Sequence, residues 1–121
     1  DGQQERDFTY VEDIVDGTIL ASEHVFNGAP INLGTGQKHK LIDVAQMIFN
    51  IINWKPTKIN FEPSMPVGPW SRALDNTRAR ELLGWKPRFS LEQGLRKTIE
   101  WYQHSSKYTN RVAKELLLER V

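Results

Sequence analysis

The chain has 121 residues, 39% of them apolar and 26% charged, which fits one ordinary domain with its own core and excludes a disordered tail or a fibrous repeat. Sixteen Lys and Arg against fifteen Asp and Glu leave a formal charge of +1, so no global field attracts nucleic acid or an anionic membrane, and any anion site must be local. No apolar run approaches the roughly 20 residues of a membrane helix. Zero cysteines exclude disulfides, thiolate metal sites and cysteine nucleophiles, and point to a cytoplasmic protein. The sequence starts at Asp1 with no methionine, basic n-region or apolar h-region, so the chain is expected to be a piece of something longer.

In chain order, Glu5 to Val11 alternates as a half-buried strand would, with Phe8 and Tyr10 on one side and Asp7 and Thr9 on the other. Val11, Ile14, Val15, Thr18, Ser22 and Val25 then follow helical spacing, which predicts a helix from Asp13 to Phe26 with Asp13 as its N-cap. Asn27 to Pro30 reads as a turn, Ile31 to Leu33 as a short buried strand, and Gly34-Thr35-Gly36 as a loop. Leu41, Val44, Ala45, Ile48, Ile51 and Ile52 mark a helix over 41–52, and Lys58 to Phe61 a strand. Pro63, Pro66, Pro69 and Gly68 make Glu62 to Trp70 a surface loop. Asp75 or Asn76 caps a short helix that Gly84 closes, with Pro87 just beyond. Ser90 and Gln93 form a capping box for a helix carrying Leu91, Leu95, Thr98, Ile99 and Tyr102. After His104, Val112, Leu116 and Leu117 mark an amphipathic tail.

Few residues carry a chemical signature. Gly34-Thr35-Gly36 is half of a dinucleotide fingerprint, but the third glycine and the following acidic residue are missing, so these read as turn glycines. His24, His39 and His104 have no paired zinc spacing and read as surface or structural histidines; no metal site is expected. Arg6 and Arg72 are more informative. A guanidinium offers paired planar donors to phosphate oxygens and keeps its charge at any working pH. Arg6 opens the first strand, and Arg72 follows the proline-rich loop, where Gly68 permits close approach of a ligand. The plainer alternatives are an ion pair of Arg6 with Glu5 or Asp7 and a solvated Arg72. Asn32 sets an amide in an apolar strand, where it serves either a ligand or the backbone. Trp70 is suited to stacking on a nucleotide base or to acting as a hydrophobic lid. Trp85, Trp101 and Tyr102 read as core packing.

Taken in order, several strings resemble the nucleotide-sugar epimerases and dehydratases among the extended short-chain dehydrogenases. Arg6 to Asp13 is similar to their R-D-F-x-[YH]-V-x-D segment and Asn32 to Gly36 to N-[IL]-G-x-G. Gly68 to Asp75 with Arg72, Leu82 to Pro87, and Ser90 to Leu95 running on to Trp101-Tyr102 match further segments. The resemblance covers residues 1–103 and leaves 104–121 as a helical tail. It implies an α+β fold: a C-terminal substrate-binding lobe with the last part of a Rossmann domain, its short strands packed by four or five helices. It implies that Arg6 and Arg72 contact the substrate's phosphates and that Asn32 lies near them.

The family's glycine-rich loop and Y-x-x-x-K pair are absent: Tyr10, Tyr102 and Tyr108 are followed four residues later by Ile14, Ser106 and Val112. No catalytic or cofactor-binding residue is therefore assigned. The expected parent uses NAD or NADP, and its expected partners are a nucleotide-diphosphate sugar, an N-terminal Rossmann domain and a second copy in a homodimer, with neither nucleic acid nor membrane. The chain alone is expected to be inactive and to bind no cofactor. The competing reading is a non-catalytic interaction or regulatory module of the same fold.

Overall fold

The computed structural model describes residues 1–66 and 68–105. Its elements run β1 (Glu5–Arg6), α1 (Val11–His24), β2 (His39–Lys40), α2 (Leu41–Ile51), α3 (Thr77–Leu83) and α4 (Leu91–His104). The α+β class is as expected, with four helices and one two-stranded sheet among the described residues. Of the expected tail only His104, the last residue of α4, and Ser105 are described; residues 106–121 lie outside the described residues.

Local chemistry explains the helices that were legible in sequence. The α4 capping box is formed: Gln93 N–H donates to Ser90 Oγ at 3.2 Å and Ser90 N–H to Gln93 Oε1 at 2.9 Å. Gly84 closes α3 in the left-handed region at φ 61°, a conformation an L side chain resists. In α3 the cap is shared: Asn76 stands at the N-cap without a side-chain cap bond, while Asp75 Oδ1 accepts from Thr77 N–H at 2.9 Å.

α1 corrects the sequence reading. It begins at Val11, two residues early, with Tyr10 at the N-cap in extended backbone and the Tyr10 carbonyl accepting from Asp13 and Ile14 N–H. Asp13 is therefore not the N-cap. Its carboxylate leaves the helix and accepts from Arg88 N–H at 3.0 Å and Phe89 N–H at 3.2 Å, and the residue is only 1% exposed. A buried acceptor is needed there because the chain between Trp85 and Ser90 has no ladder or helix to satisfy its amides.

The strands also differ. Only Glu5 and Arg6 of the expected 5–11 strand enter a ladder, and neither Ile31–Leu33 nor Lys58–Phe61 forms one. β propensity describes fit to a pleated surface, but a strand exists only where a neighbouring chain completes its hydrogen bonds.

α1 packs on α3, and α2 on β2 and α4. Among the described residues Val44, Ala79 and Trp85 are the buried apolar ones, with Trp85 4% exposed and its Nε1–H donating to the Asp13 carbonyl at 3.0 Å. Trp85 is thus core as expected, whereas among the described residues Trp101 and Tyr102, in the last turn of α4, are not buried: Trp101 is 59% exposed and Tyr102 is also exposed. Mid-helix Gly17 allows a close approach in the core. A Cβ there would lie 2.6 Å from Leu33 Cδ2 and 2.9 Å from Trp85 Nε1. Gly17→Ala should therefore destabilise the fold by about 1–3 kcal/mol through overpacking, despite the roughly 1 kcal/mol that alanine gains over glycine in a helix. A urea midpoint at or above wild type would show that Leu33 and Trp85 give way freely.

Candidate functional site

β1 lies between two chains. On one side it pairs antiparallel with β2, Glu5 opposite Lys40 and Arg6 opposite His39. On the other, Glu5 bridges in parallel to Ser71: Glu5 N–H donates to the Trp70 carbonyl at 2.9 Å and Arg72 N–H to the Glu5 carbonyl at 3.1 Å. Ser71 Oγ–H also donates to Glu5 Oε2 at 2.8 Å, placing the Glu5 and Ser71 side chains on one face. Because side chains alternate along extended chain, Arg6 and Arg72 share the opposite face as lateral neighbours.

The ribbon thus brings together three of the sequence-predicted residues. Arg6 donates through Nη1 to the Glu5 carbonyl at 2.7 Å, and its guanidinium faces Gly68, where a Cβ would sit 3.8 Å from Nη2. Gly68 holds φ 66°, so the loop turns back over Arg6 through a conformation glycine adopts without strain. Trp70 is 56% exposed and Arg72 is exposed. Asn32 is placed differently: it is exposed rather than buried, and its Nδ2–H donates to the Asp75 carbonyl at 3.2 Å, the backbone-bridging role.

The residue that holds this region together is Asp7, which sequence reasoning passed over as a partner for Arg6. Its Oδ1 accepts from Thr35 N–H at 3.1 Å and from Thr35 Oγ1–H, and its Oδ2 from Gly36 N–H at 2.8 Å and Leu74 N–H at 3.2 Å. One carboxylate therefore ties β1 to the Gly34–Gly36 loop and to the chain leaving Arg72. Burial opposes its ionisation, but the bonds from Thr35 Oγ1, Leu74, Gly36 and Thr35 N–H outweigh this and hold its pKa below the ordinary 3.8. The same bonds bear on the glycine loop. Two of its amides, those of Thr35 and Gly36, are thus engaged by Asp7.

A carboxylate with a depressed native pKa stabilises the fold fully above its unfolded pKa of about 3.9 and loses that contribution as pH falls through the native value. Asp7→Asn should cost about 1–3 kcal/mol near neutral pH, since an amide presents an N–H group to donors it cannot accept from. Acidification from about pH 5 to about pH 3 should then destabilise wild type more than the variant. Parallel acid-dependence curves in urea denaturation would contradict the assigned role.

A groove of about 480 Å³ lies elsewhere, between the stretch after β1 and α4, with Phe8, Tyr10, Leu91, Leu95, Thr98 and Trp101 in its lining. It is apolar and carries no charged lining residue, so it is unsuited to a diphosphate. Among the described residues no three metal-ligating side chains cluster, and no helix is long and apolar enough to cross a membrane.

Residues 1–98 match the family model described as GDP-mannose 4,6 dehydratase. A UDP-glucose 4-epimerase of Mycolicibacterium smegmatis is 36% identical over 107 residues, 88% of this chain and 34% of that protein. The structure of a UDP-glucose 4-epimerase of Thermotoga maritima with UDP-glucose superposes with a TM-score of 0.78 at 33% identity, covering 85% of this chain and 33% of that one. A UDP-glucuronic acid 4-epimerase of Bacillus cereus, solved with UDP-4-deoxy-4-fluoro-glucuronic acid and NAD, gives a TM-score of 0.74 at 36% identity over 84% of this chain and 32% of that one. The chain spans about a third of the length of these relatives. With most of its length inside the family model and relatives of this identity, the chain belongs to the GDP-mannose 4,6 dehydratase family, within the extended short-chain dehydrogenases that comprise nucleotide-sugar epimerases and dehydratases.

Proposed function

We propose that this chain is the nucleotide-diphosphate-sugar-binding portion of a longer NAD(P)-dependent epimerase, dehydratase or reductase, which acts together with an N-terminal dinucleotide-binding domain. The observation that carries the reading is the main-chain pairing of Glu5 with the Trp70–Arg72 segment, which by side-chain alternation sets Arg6 and Arg72 on one face of the β1 ribbon. Two guanidiniums so arranged match the two negative charges of a nucleotide diphosphate. Asp7 keeps both arginine-bearing chains in register, Gly68 lets the ligand approach the backbone, and exposed Trp70 offers a face to the base. Asn32 orients Asp75 downstream of Arg72. The relatives' UDP-sugar ligands support this substrate class. The cofactor, when bound, takes or returns the hydride; the residues here bind and orient the sugar nucleotide, and the reacting groups belong to the other domain.

Calorimetric titration of the full-length protein with UDP-glucose, GDP-mannose and dTDP-glucose tests the reading. Saturable binding of one of them, lost in the Arg6→Ala/Arg72→Ala double variant, is expected. Binding of none, with self-association that depends on residues 106–121, would instead establish an interaction module.

A further inference from the structure

We propose that His39 is a third diphosphate ligand, one whose protonation is coupled to substrate binding; this rests on the reading of Arg6 and Arg72 as the diphosphate contacts. The argument is one of register. Arg6 and His39 are directly opposed in the antiparallel ladder, so their side chains share a face with Cβ atoms about 5 Å apart. Arg72 occupies that face on the other side of Arg6. His39, Arg6 and Arg72 therefore form one row across three adjacent chains. A diphosphate held by the two arginines lies within reach of the imidazole, which is half-buried on that face.

The surroundings leave the role to this side chain. β2 runs directly into α2, but the first two amides of that helix are taken: Leu41 N–H donates to the Gln4 carbonyl at 3.0 Å and Ile42 N–H to the Gly2 carbonyl at 2.9 Å. Those two N–H groups are thus unavailable to an anion. The charged groups of the packed elements are Arg6 and Glu5 from β1, Arg72 from the bridged chain and Asp43 in the first turn of α2, with Lys38 and Lys40 flanking His39 in sequence. Glu5 and Lys40 occupy the opposite face, where Glu5 is engaged by Ser71, so no acidic group of the ribbon stands in the row. A guanidinium keeps its charge at any working pH, whereas histidine is the side-chain type suited to taking up a proton when an anion is brought beside it. A ligand bringing two negative charges favours the imidazolium, and by reciprocity the imidazolium favours the ligand.

The test uses the full-length protein and the same three nucleotide sugars, whose diphosphate esters carry no proton to lose near neutral pH. Wild type should bind more tightly as pH is lowered from about 8 to about 6, with proton uptake visible as a dependence of binding heat on buffer ionisation. His39→Gln should abolish the proton uptake and weaken binding at the acid end by about threefold to tenfold. Circular dichroism would confirm an unchanged fold. Affinity equal to wild type, or undiminished proton uptake, in His39→Gln overturns the inference even where Arg72→Ala still weakens binding. Unchanged affinity in Arg72→Ala, or no binding by wild type, overturns the underlying reading as well.

Discussion

Replacing Asp13 with alanine should lower the stability of the fold by about 2–5 kcal/mol, because it leaves the N–H groups of Arg88 and Phe89 without acceptors in a part-buried place. The change is large beside the roughly 5–15 kcal/mol that holds a domain together. Asparagine keeps one carbonyl oxygen and should fall between alanine and wild type. The carboxylate also stands 3.6 Å from Arg88 Nε, and Arg88 pairs with Asp16, so an ion pair is the rival explanation. The two are separable. The Asp13 carboxylate is buried, but the Arg88 side chain is 59% exposed, so water around the guanidinium screens the pair towards the roughly 0–1 kcal/mol of surface pairs. Arg88→Ala keeps the backbone N–H and should therefore cost about 1 kcal/mol or less, whereas an ion-pair role predicts similar losses for Arg88→Ala and Asp13→Ala. Equilibrium urea denaturation of the three variants decides between them.

Asp13 also shows where legibility in the sequence ends. Helices α2, α3 and α4 declare themselves locally: an apolar period for α2, a left-handed Gly84 for α3, and Ser90 three residues before Gln93 for α4. Asp13 and Asp7 act instead on amides 75–76 and 28–67 residues away, and no spacing rule reaches that far. An acidic residue near a helix start looks like a cap because capping is the local use of a carboxylate. The long-range use becomes visible only when the loop that needs acceptors is folded against it.

Gly17 did leave a signal, since a glycine in the middle of an otherwise regular helix is costly unless something packs against it, here Leu33 and Trp85. Of the site, Arg6 and Arg72 could be singled out by their chemistry and by resemblance, but their adjacency could not. It depends on Glu5 bridging to Ser71 across 66 residues. A second long-range pairing explains why His39 read as a surface or structural histidine: its position opposite Arg6 exists only in the register of β1 against β2.

On the proposed function, Arg72→Ala should reduce nucleotide-sugar affinity in the full-length protein by about one to two powers of ten, as expected when a charge-assisted phosphate bond of about 1.5–3 kcal/mol is removed. Folding should hardly change, since Arg72 is exposed and its structural hydrogen bond to Glu5 runs through the main chain. Lysine keeps the charge but loses the paired planar donors, so Arg72→Lys should lie between alanine and wild type. The diphosphate is remote from the reacting carbon of the sugar. The weakening should accordingly appear mainly in KM, with kcat reduced only to the extent that the sugar sits less accurately. A solvated arginine that merely borders the ribbon predicts no change in KM for either variant. Steady-state kinetics with circular dichroism on both proteins separates the two: a KM for Arg72→Ala within about twofold of wild type would remove Arg72 from the phosphate site, because deleting a guanidinium that binds phosphate should raise KM well beyond that margin.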